Sequence, residues 1–249
     1  MSHALSAAPR PPAWRPGSAC NGSCRHASAC EATRGGDPAL LGVRGVVERV
    51  GPFSDGDRLV QPGSPHRCYF SVLSGMAKTT DANRVVAFHL PGELFALEPT
   101  RAQVHERSIS AIGKTWFCRF PRDAMSDLCG DNDDIARHLA ALRRREHRLL
   151  KASHDDGDAL TRVSGFLVDL RCRRRHIEGE SAFVPLPMSR EDIGSYLGMS
   201  AATVTRMLGR LRAAGILTIR ADGIEASDEA SLVPRQDSPG SKPSRSFIS

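Results

Sequence analysis

The stretch Ser189 to Leu217, SREDIGSYLGMSAATVTRMLGRLRAAGIL, constrains this chain more than any other. Ser189 followed by Asp192 reads as a capped helix start, with the carboxylate where the helix N-terminus is positive. Ile193, Tyr196 and Leu197 then form an i, i+3, i+4 apolar stripe. Gly198 follows where a tight turn between helices needs a residue without Cβ. Ser200 can cap a second helix, on which Val204, Met207, Leu208 and Leu211 repeat the buried face, and Gly215 sits at the expected helix end. This pattern predicts a helix-turn-helix.

On the second predicted helix, Ala202, Thr205, Arg206 and Arg210 point away from the apolar stripe. Short side chains beside an arginine near a helix N-terminus suit a DNA major groove, since arginine can donate two hydrogen bonds to guanine. Ile216-Leu-Thr-Ile219 and Ile224 flank Ala221-Asp222-Gly223, a hairpin signal that places a wing behind the helices. The competing reading is an ordinary helical hairpin with solvated arginines. The capped first helix, the glycine turn and the wing together weigh against it.

Charge supports a polyanionic partner. The chain has 249 residues and a formal net charge of +6. Between Asp158 and Arg220 ten arginines (162, 171, 173, 174, 175, 190, 206, 210, 212, 220) face six acids (158, 169, 178, 180, 191, 192). That local excess suits a module that touches phosphates. The run Arg171-Cys-Arg-Arg-Arg175 fits either a phosphate contact or a solvated helix end.

Ahead of this module the texture changes twice. Between about Val46 and Pro121 short apolar runs alternate with turn residues: Arg58-Leu-Val60, Cys68 to Leu73, Val85 to Leu90, and Ile109 to Phe120. This spacing predicts a small antiparallel β-barrel or roll. From Asn132 the pattern is helical. Ile135, Leu139, Leu142 and Leu149 form a narrow seam interrupted by Glu146, opposite Arg143, Arg144, Arg145, His147 and Arg148. Such a seam fits a dimer interface, or a helix lying on its own β-domain. Thr161 to Arg171 reads as another amphipathic helix.

The expected organisation is therefore α+β. An unpacked, Pro- and Ala-rich stretch (1–18) precedes a cysteine-rich loop (19–35). A β-domain (36–130), a long dimerisation helix (131–157), a winged helix-turn-helix (158–230) and an unpacked tail (231–249) follow. No apolar run reaches the roughly 18 residues needed to span a bilayer. Neither is there a charged start followed by an apolar core, so the expected compartment is the cytoplasm, with reduced or metal-bound cysteines. No nucleophile motif, phosphate-binding glycine loop or paired carboxylates point to an enzyme. Asp133-Asp134 and Asp155-Asp156 read as helix-end and linker charges.

Cys20, Cys24 and Cys30 crowd into a loop of small residues; Cys68, Cys118, Cys129 and Cys172 are scattered. Three thiols on one loop can wrap a metal centre, with a fourth ligand from the β-domain. An iron–sulfur cluster, a structural zinc, a redox disulfide and unconnected thiols are all compatible with the spacing.

Taken together, the chain resembles the CRP/FNR superfamily of bacterial transcription regulators, specifically its oxygen-responsive FNR branch, from about Cys20 to about Asp228. Val72-Leu-Ser-Gly-Met-Ala-Lys78 and Phe88-His-Leu-Pro-Gly-Glu-Leu94 are similar to its cyclic-nucleotide-binding-like β-roll. Met188 to Gly198 and Thr203-Val-Thr-Arg-Met-Leu-Gly-Arg210 are similar to its helix-turn-helix. The resemblance implies a [4Fe–4S] cluster on Cys20, Cys24, Cys30 and Cys118. It further implies homodimerisation at low oxygen, binding to palindromic double-stranded DNA through Ser189, Ala202, Thr203, Thr205, Arg206 and Arg210, and contact with RNA polymerase.

Three features depart from that branch. Cys20 and Cys24 are separated by three residues where the family has two. Ala202 stands where the family carries a glutamate that accepts from cytosine. Glu146 breaks the apolar seam. Two further readings stay open. One is direct redox sensing by thiols such as Cys68 or Cys129. The other is a nucleotide-binding regulatory module that docks on protein: Arg107-Ser108 resembles the phosphate-binding pair of the cyclic-nucleotide branch, although Ala96-Leu97 replaces its Gly-Glu.

Overall fold

The computed structural model describes Cys24 and residues 30–34, 37–98, 103–151 and 157–226. The expectations for residues 1–18 and 231–249, and for Cys20, lie outside the described residues.

The β-domain is one antiparallel sheet. Its spine is two long strands, β3 (Cys68–Asp81) and β6 (Ser108–Pro121), flanked by β1 (Glu48–Phe53) beyond β6 and β4 (Arg84–His89) beyond β3. The short β2 (Arg58–Val60) pairs with β6, and β5 (Leu94–Phe95) pairs with β3. The β3–β4 connection is a two-residue turn. Ala82 and Asn83 both have positive φ (44° and 68°), the backbone twist that a tight hairpin requires.

The β3–β6 register shifts around Ser74, and Gly75 makes the shift possible. Its φ is +86°, and a Cβ there would lie 2.5 Å from Thr115 Oγ1. Thr115 is fully buried; its hydroxyl lies 3.0 Å from the carbonyl oxygens of Met76 and Ile112 and secures the irregularity. Inside the sheet, Phe53, Phe70, Phe95 and Phe117 form an apolar cluster with Val72 and Ile109.

Helix α1 (Arg122–Asp131) starts at the end of β6, so helical structure begins ten residues earlier than the sequence pattern indicates. Its only buried residue is Met125, too little periodicity to reveal it. Helix α2 (Asp133–Lys151) follows and lies along the β-domain. Ile135 and Leu139 are 3% and 4% exposed, packed in one cluster with Leu40, Val43, Tyr69, Phe120 and Met125. These two seam residues are covered by their own chain. Leu142 is half-buried against the same cluster, while Leu149 remains 40% exposed.

The C-terminal unit comprises α3 (Ala159–Glu178), α4 (Arg190–Leu197), α5 (Ala201–Ala213) and a three-stranded sheet ordered β7 (Phe183–Pro185), β9 (Gly223–Ala226), β8 (Leu217–Ile219). The wing thus has a third strand, β7, too short to announce itself by alternation. The unit shares a core with the β-domain. Phe88 of β4 lies 6.0 Å from Phe166 of α3 and 5.2 Å from Tyr196 of α4, ring centre to ring centre. Polar ties reinforce this seam: Lys78 Nζ lies 2.5 Å from Asp192, and the Val85 amide donates to Ser195 Oγ at 2.9 Å.

Candidate nucleic-acid interface and cysteine pocket

Local capping builds the two-helix unit. Ser189 accepts from the Asp192 amide at 3.0 Å and Ser200 from the Thr203 amide at 3.1 Å. Gly198 closes α4 in the left-handed conformation, φ 65°. Gly194 matters as much: a Cβ there would lie 2.5 Å from the Met199 carbonyl, so the turn can fold back only over a glycine. Ile193, Tyr196, Leu197, Val204, Met207, Leu208 and Leu211 are all buried, as their spacing predicts.

Burial on that side turns the other face of α5 outward. Ala202, Thr205, Arg206 and Arg210 are exposed and Thr203 is half-buried. The Thr205 hydroxyl donates to the Ala201 carbonyl at 3.0 Å, and the Thr203 hydroxyl lies 3.0 Å from Ser200 Oγ. Thr203 and Ser189 thus also serve the helix starts. The solvent-facing side of α5 presents two arginines beside small side chains, a surface that fits a major groove and phosphates.

The arginine run does not behave as one patch. Arg171 donates to the Ala226 carbonyl at 3.1 Å and ties α3 to the wing. Arg173 turns inward and pairs with Glu93 of the β-domain through two bonds of 2.8 and 2.6 Å. Neither the phosphate nor the solvated reading holds for Arg173. On α2, Arg143 and Arg145 likewise turn inward, to Tyr69 and Glu31.

The cysteines converge across the chain. Cys24, Cys30 and Cys118 line one pocket, together with Thr33, Val47, Ser71, Leu73 and Phe120. Two come from the N-terminal loop and one from β6, so the fold joins segments some ninety residues apart. Among the described residues no three His, Cys, Asp or Glu side chains close on one point tightly enough to hold a single ion. Cys68 packs against the β-domain interior and Cys129 against the α1–α2 cluster. Burial pushes both thiols up from their ordinary value.

A second pocket lies between α2 and β6, lined in part by His66, Ala96, His105, Arg107 and Glu146. The Ala96 amide and the Arg107 guanidinium that line it are already engaged. Glu146, 7% exposed, accepts from the Ala96 and Leu97 amides, both at 2.6 Å. Arg107 pairs with Asp81 at 3.0 Å and also with Glu98. Burial pushes the Glu146 carboxyl up to about 7, against the pull of the two amides. Glu146 was legible only as an interruption of the seam. An acid between Leu142 and Leu149 is the signal that a buried donor needs an acceptor there.

Known proteins match both halves. Residues 161–234 match the family model of the Crp-like helix-turn-helix domain, and residues 51–132 that of the cyclic nucleotide-binding domain. The transcriptional activator protein anr of Pseudomonas aeruginosa is 31% identical over 197 residues, covering 75% of this chain and 80% of that protein. This chain belongs to the CRP/FNR family of transcription regulators. The fumarate and nitrate reduction regulatory protein of Vibrio cholerae is 26% identical over 76% of the chain and 78% of its own length. Among solved structures, FixK2 from Bradyrhizobium japonicum matches with a TM-score of 0.68 and 27% identity, over 75% of this chain and 96% of that one. The CRP/FNR chain described here is accordingly a DNA-binding regulator and not an enzyme. None of its described helices is long and apolar enough to cross a membrane.

Proposed function

We propose that this regulator is gated by an oxygen-labile [4Fe–4S] cluster held by Cys20, Cys24, Cys30 and Cys118. At low oxygen it binds a palindromic operator as a homodimer and contacts RNA polymerase. The observation that carries the reading is the joint lining of one pocket by Cys24, Cys30 and Cys118. A cubane spreads its four thiolates over four irons, whereas a single zinc draws them to one centre. Three thiols lining one pocket, one of them from β6, suit such a group. When bound, the cluster supplies an oxygen-sensitive cross-link between the N-terminal loop and β6. The dimer contact falls to Leu149, the exposed member of the α2 seam. A shift of ~3 kcal/mol in association changes dimerisation about 150-fold, enough for a switch.

Two other readings fare worse. Thiolates are the reactive form of cysteine, and burial opposes their formation at Cys68 and Cys129. A nucleotide anion would have to displace Glu146 from the Ala96 and Leu97 amides and Glu98 from Arg107. With Ala202 on α5, the half-site need not carry the C·G pair that a glutamate would select.

The test is iron and sulfide analysis of the chain isolated without oxygen, beside Cys30→Ser and Cys118→Ser. About four irons and four sulfides in the parent, lost in both variants, is the expected result. Zinc in the parent, or iron retained in both variants, would refute the cluster.

A further inference from the structure

Glu31 directly follows Cys30, and it anchors the cysteine loop to three parts of the molecule. Its amide donates to the Gly92 carbonyl at 2.9 Å. One carboxylate oxygen accepts from the Leu94 amide at 2.9 Å, and the other pairs with Arg145 of α2. Its carbonyl lies 2.5 Å from His138 Nε2. Arg145 in turn faces Glu93, 3.8 Å away, close enough for attraction but not for a hydrogen bond. Glu93 accepts from the Leu90 amide and gives both oxygens to Arg173 of α3, whose Nη2 also donates to the Phe88 carbonyl at 2.7 Å. Glu31, Glu93, Arg145 and Arg173 line one cleft, floored by Phe88, Phe95 and Leu142.

Two guanidinium groups therefore face the buried Glu93; Arg173 also pairs with Asp169 at 3.1 Å, and the Arg145 side chain keeps 39% of its surface exposed. Burial, and after it the Arg173 charge, both work against the charge on Arg145. While Glu31 holds Arg145, Glu93 is free to engage Arg173 with both oxygens. If the loop withdraws and takes Glu31 with it, Glu93 becomes the nearest carboxylate to Arg145. The Arg173 pair must then share its acceptor. A withdrawn loop would thus leave Glu93 shared between two guanidinium groups, a second arrangement beside the one observed.

We propose that Glu31, Arg145, Glu93 and Arg173 form a latch that transmits the state of the cysteine loop to α3, and so to the docking of the DNA-binding unit on the β-domain. The latch rests on the reading of the cysteine pocket as the sensor. It assigns Glu31 and Arg145 as positioning residues, neither of which touches DNA or a thiol ligand's sulfur in its role.

Amide hydrogen exchange on the full chain, isolated without oxygen, tests the latch. Glu31→Gln keeps an acceptor for the Leu94 amide and removes only the charge. Its expected effect is a several-fold faster exchange across residues 166–175 of α3, to which Glu31 makes no hydrogen bond. Arg145→Gln alone should leave α3 at the parent rate, because Glu93 keeps Arg173. Adding Arg145→Gln to Glu31→Gln should restore the parent rate, because the competitor for Glu93 is gone. A change confined to the neighbourhood of Leu94 would overturn the latch, as would a double variant as fast in α3 as Glu31→Gln. Iron content of the same samples reports separately on the cluster. An iron-free chain that shows the rescue refutes the cluster and keeps the latch; an iron-loaded chain without the rescue refutes the latch alone.

Discussion

In the C-terminal unit, α4 and α5 meet through Ile193, Leu197, Val204 and Leu208, and their exposed polar groups are satisfied within a few residues by Ser189 and Ser200. Along the inner face of α2, by contrast, buried Glu146 reaches the Ala96 and Leu97 amides some fifty residues away, and Arg145 reaches Glu31 across more than a hundred. The two DNA-reading helices are held to each other by apolar contacts and local caps. The face of α2 toward the β-domain is held by long-range polar ties, a buried carboxyl on two amides and a partly buried ion pair.

Four substitutions test this contrast. The largest effect is expected from Leu139→Ala, which opens a cavity between α2 and the β-domain. It should cost ~2–5 kcal/mol in urea denaturation, while an isolated change of DNA sequence preference should not follow. Retention of parent stability would show that α2 is not seated as described.

Glu146 should make the packing of α2 on the β-domain pH-dependent. Its carboxyl titrates near 7 when folded, above its ordinary value of 4.5. The folded chain therefore holds an extra proton between those values, and this contribution to stability is full below about pH 4.5 and lost as pH rises through 7. His89 has the opposite sign: burial lowers it to about 3, so its contribution is lost as pH falls below 6.5. Glu146→Gln isolates the first term. The stability of the parent relative to the variant should fall from pH 5 to pH 8, by chemical denaturation across that range. A constant difference would place Glu146 in water.

On the reading surface, Arg206→Ala should weaken binding on the order of 1–3 kcal/mol and relax one base position, measured on duplexes selected by the parent chain from a random pool. Unchanged affinity and base preference would remove Arg206 from the reading set. The smallest effect is expected at Ser200→Ala, ~1 kcal/mol from the lost cap of α5, read as a lower melting temperature with an unchanged iron content.

The same asymmetry explains what the residues alone disclosed. The helix-turn-helix was legible because its caps, its Gly198 turn and its 3.6-residue stripe are local, and a stripe marks a buried face wherever it packs. The β-domain was legible as short apolar runs between turns. For α2 the stripe of Ile135 and Leu139 was read correctly as buried, but periodicity does not say against what, and the partner is the chain's own β-domain. Arg173 and Glu93 lie eighty residues apart, so Arg173 read as one more surface cation. Cys118 was reachable only through the resemblance, since nothing local to β6 ties it to Cys24 and Cys30. The Gly194 contact was missed because only the folded turn shows how close Met199 comes.

Sedimentation velocity on the chain isolated without oxygen, repeated on the same sample after air with its visible absorbance recorded, tests the gating most directly. The account predicts an iron-loaded dimer that bleaches and dissociates to monomer in air. A sedimentation coefficient that stays the same while the absorbance bleaches, or a dimer that never held iron, would contradict it.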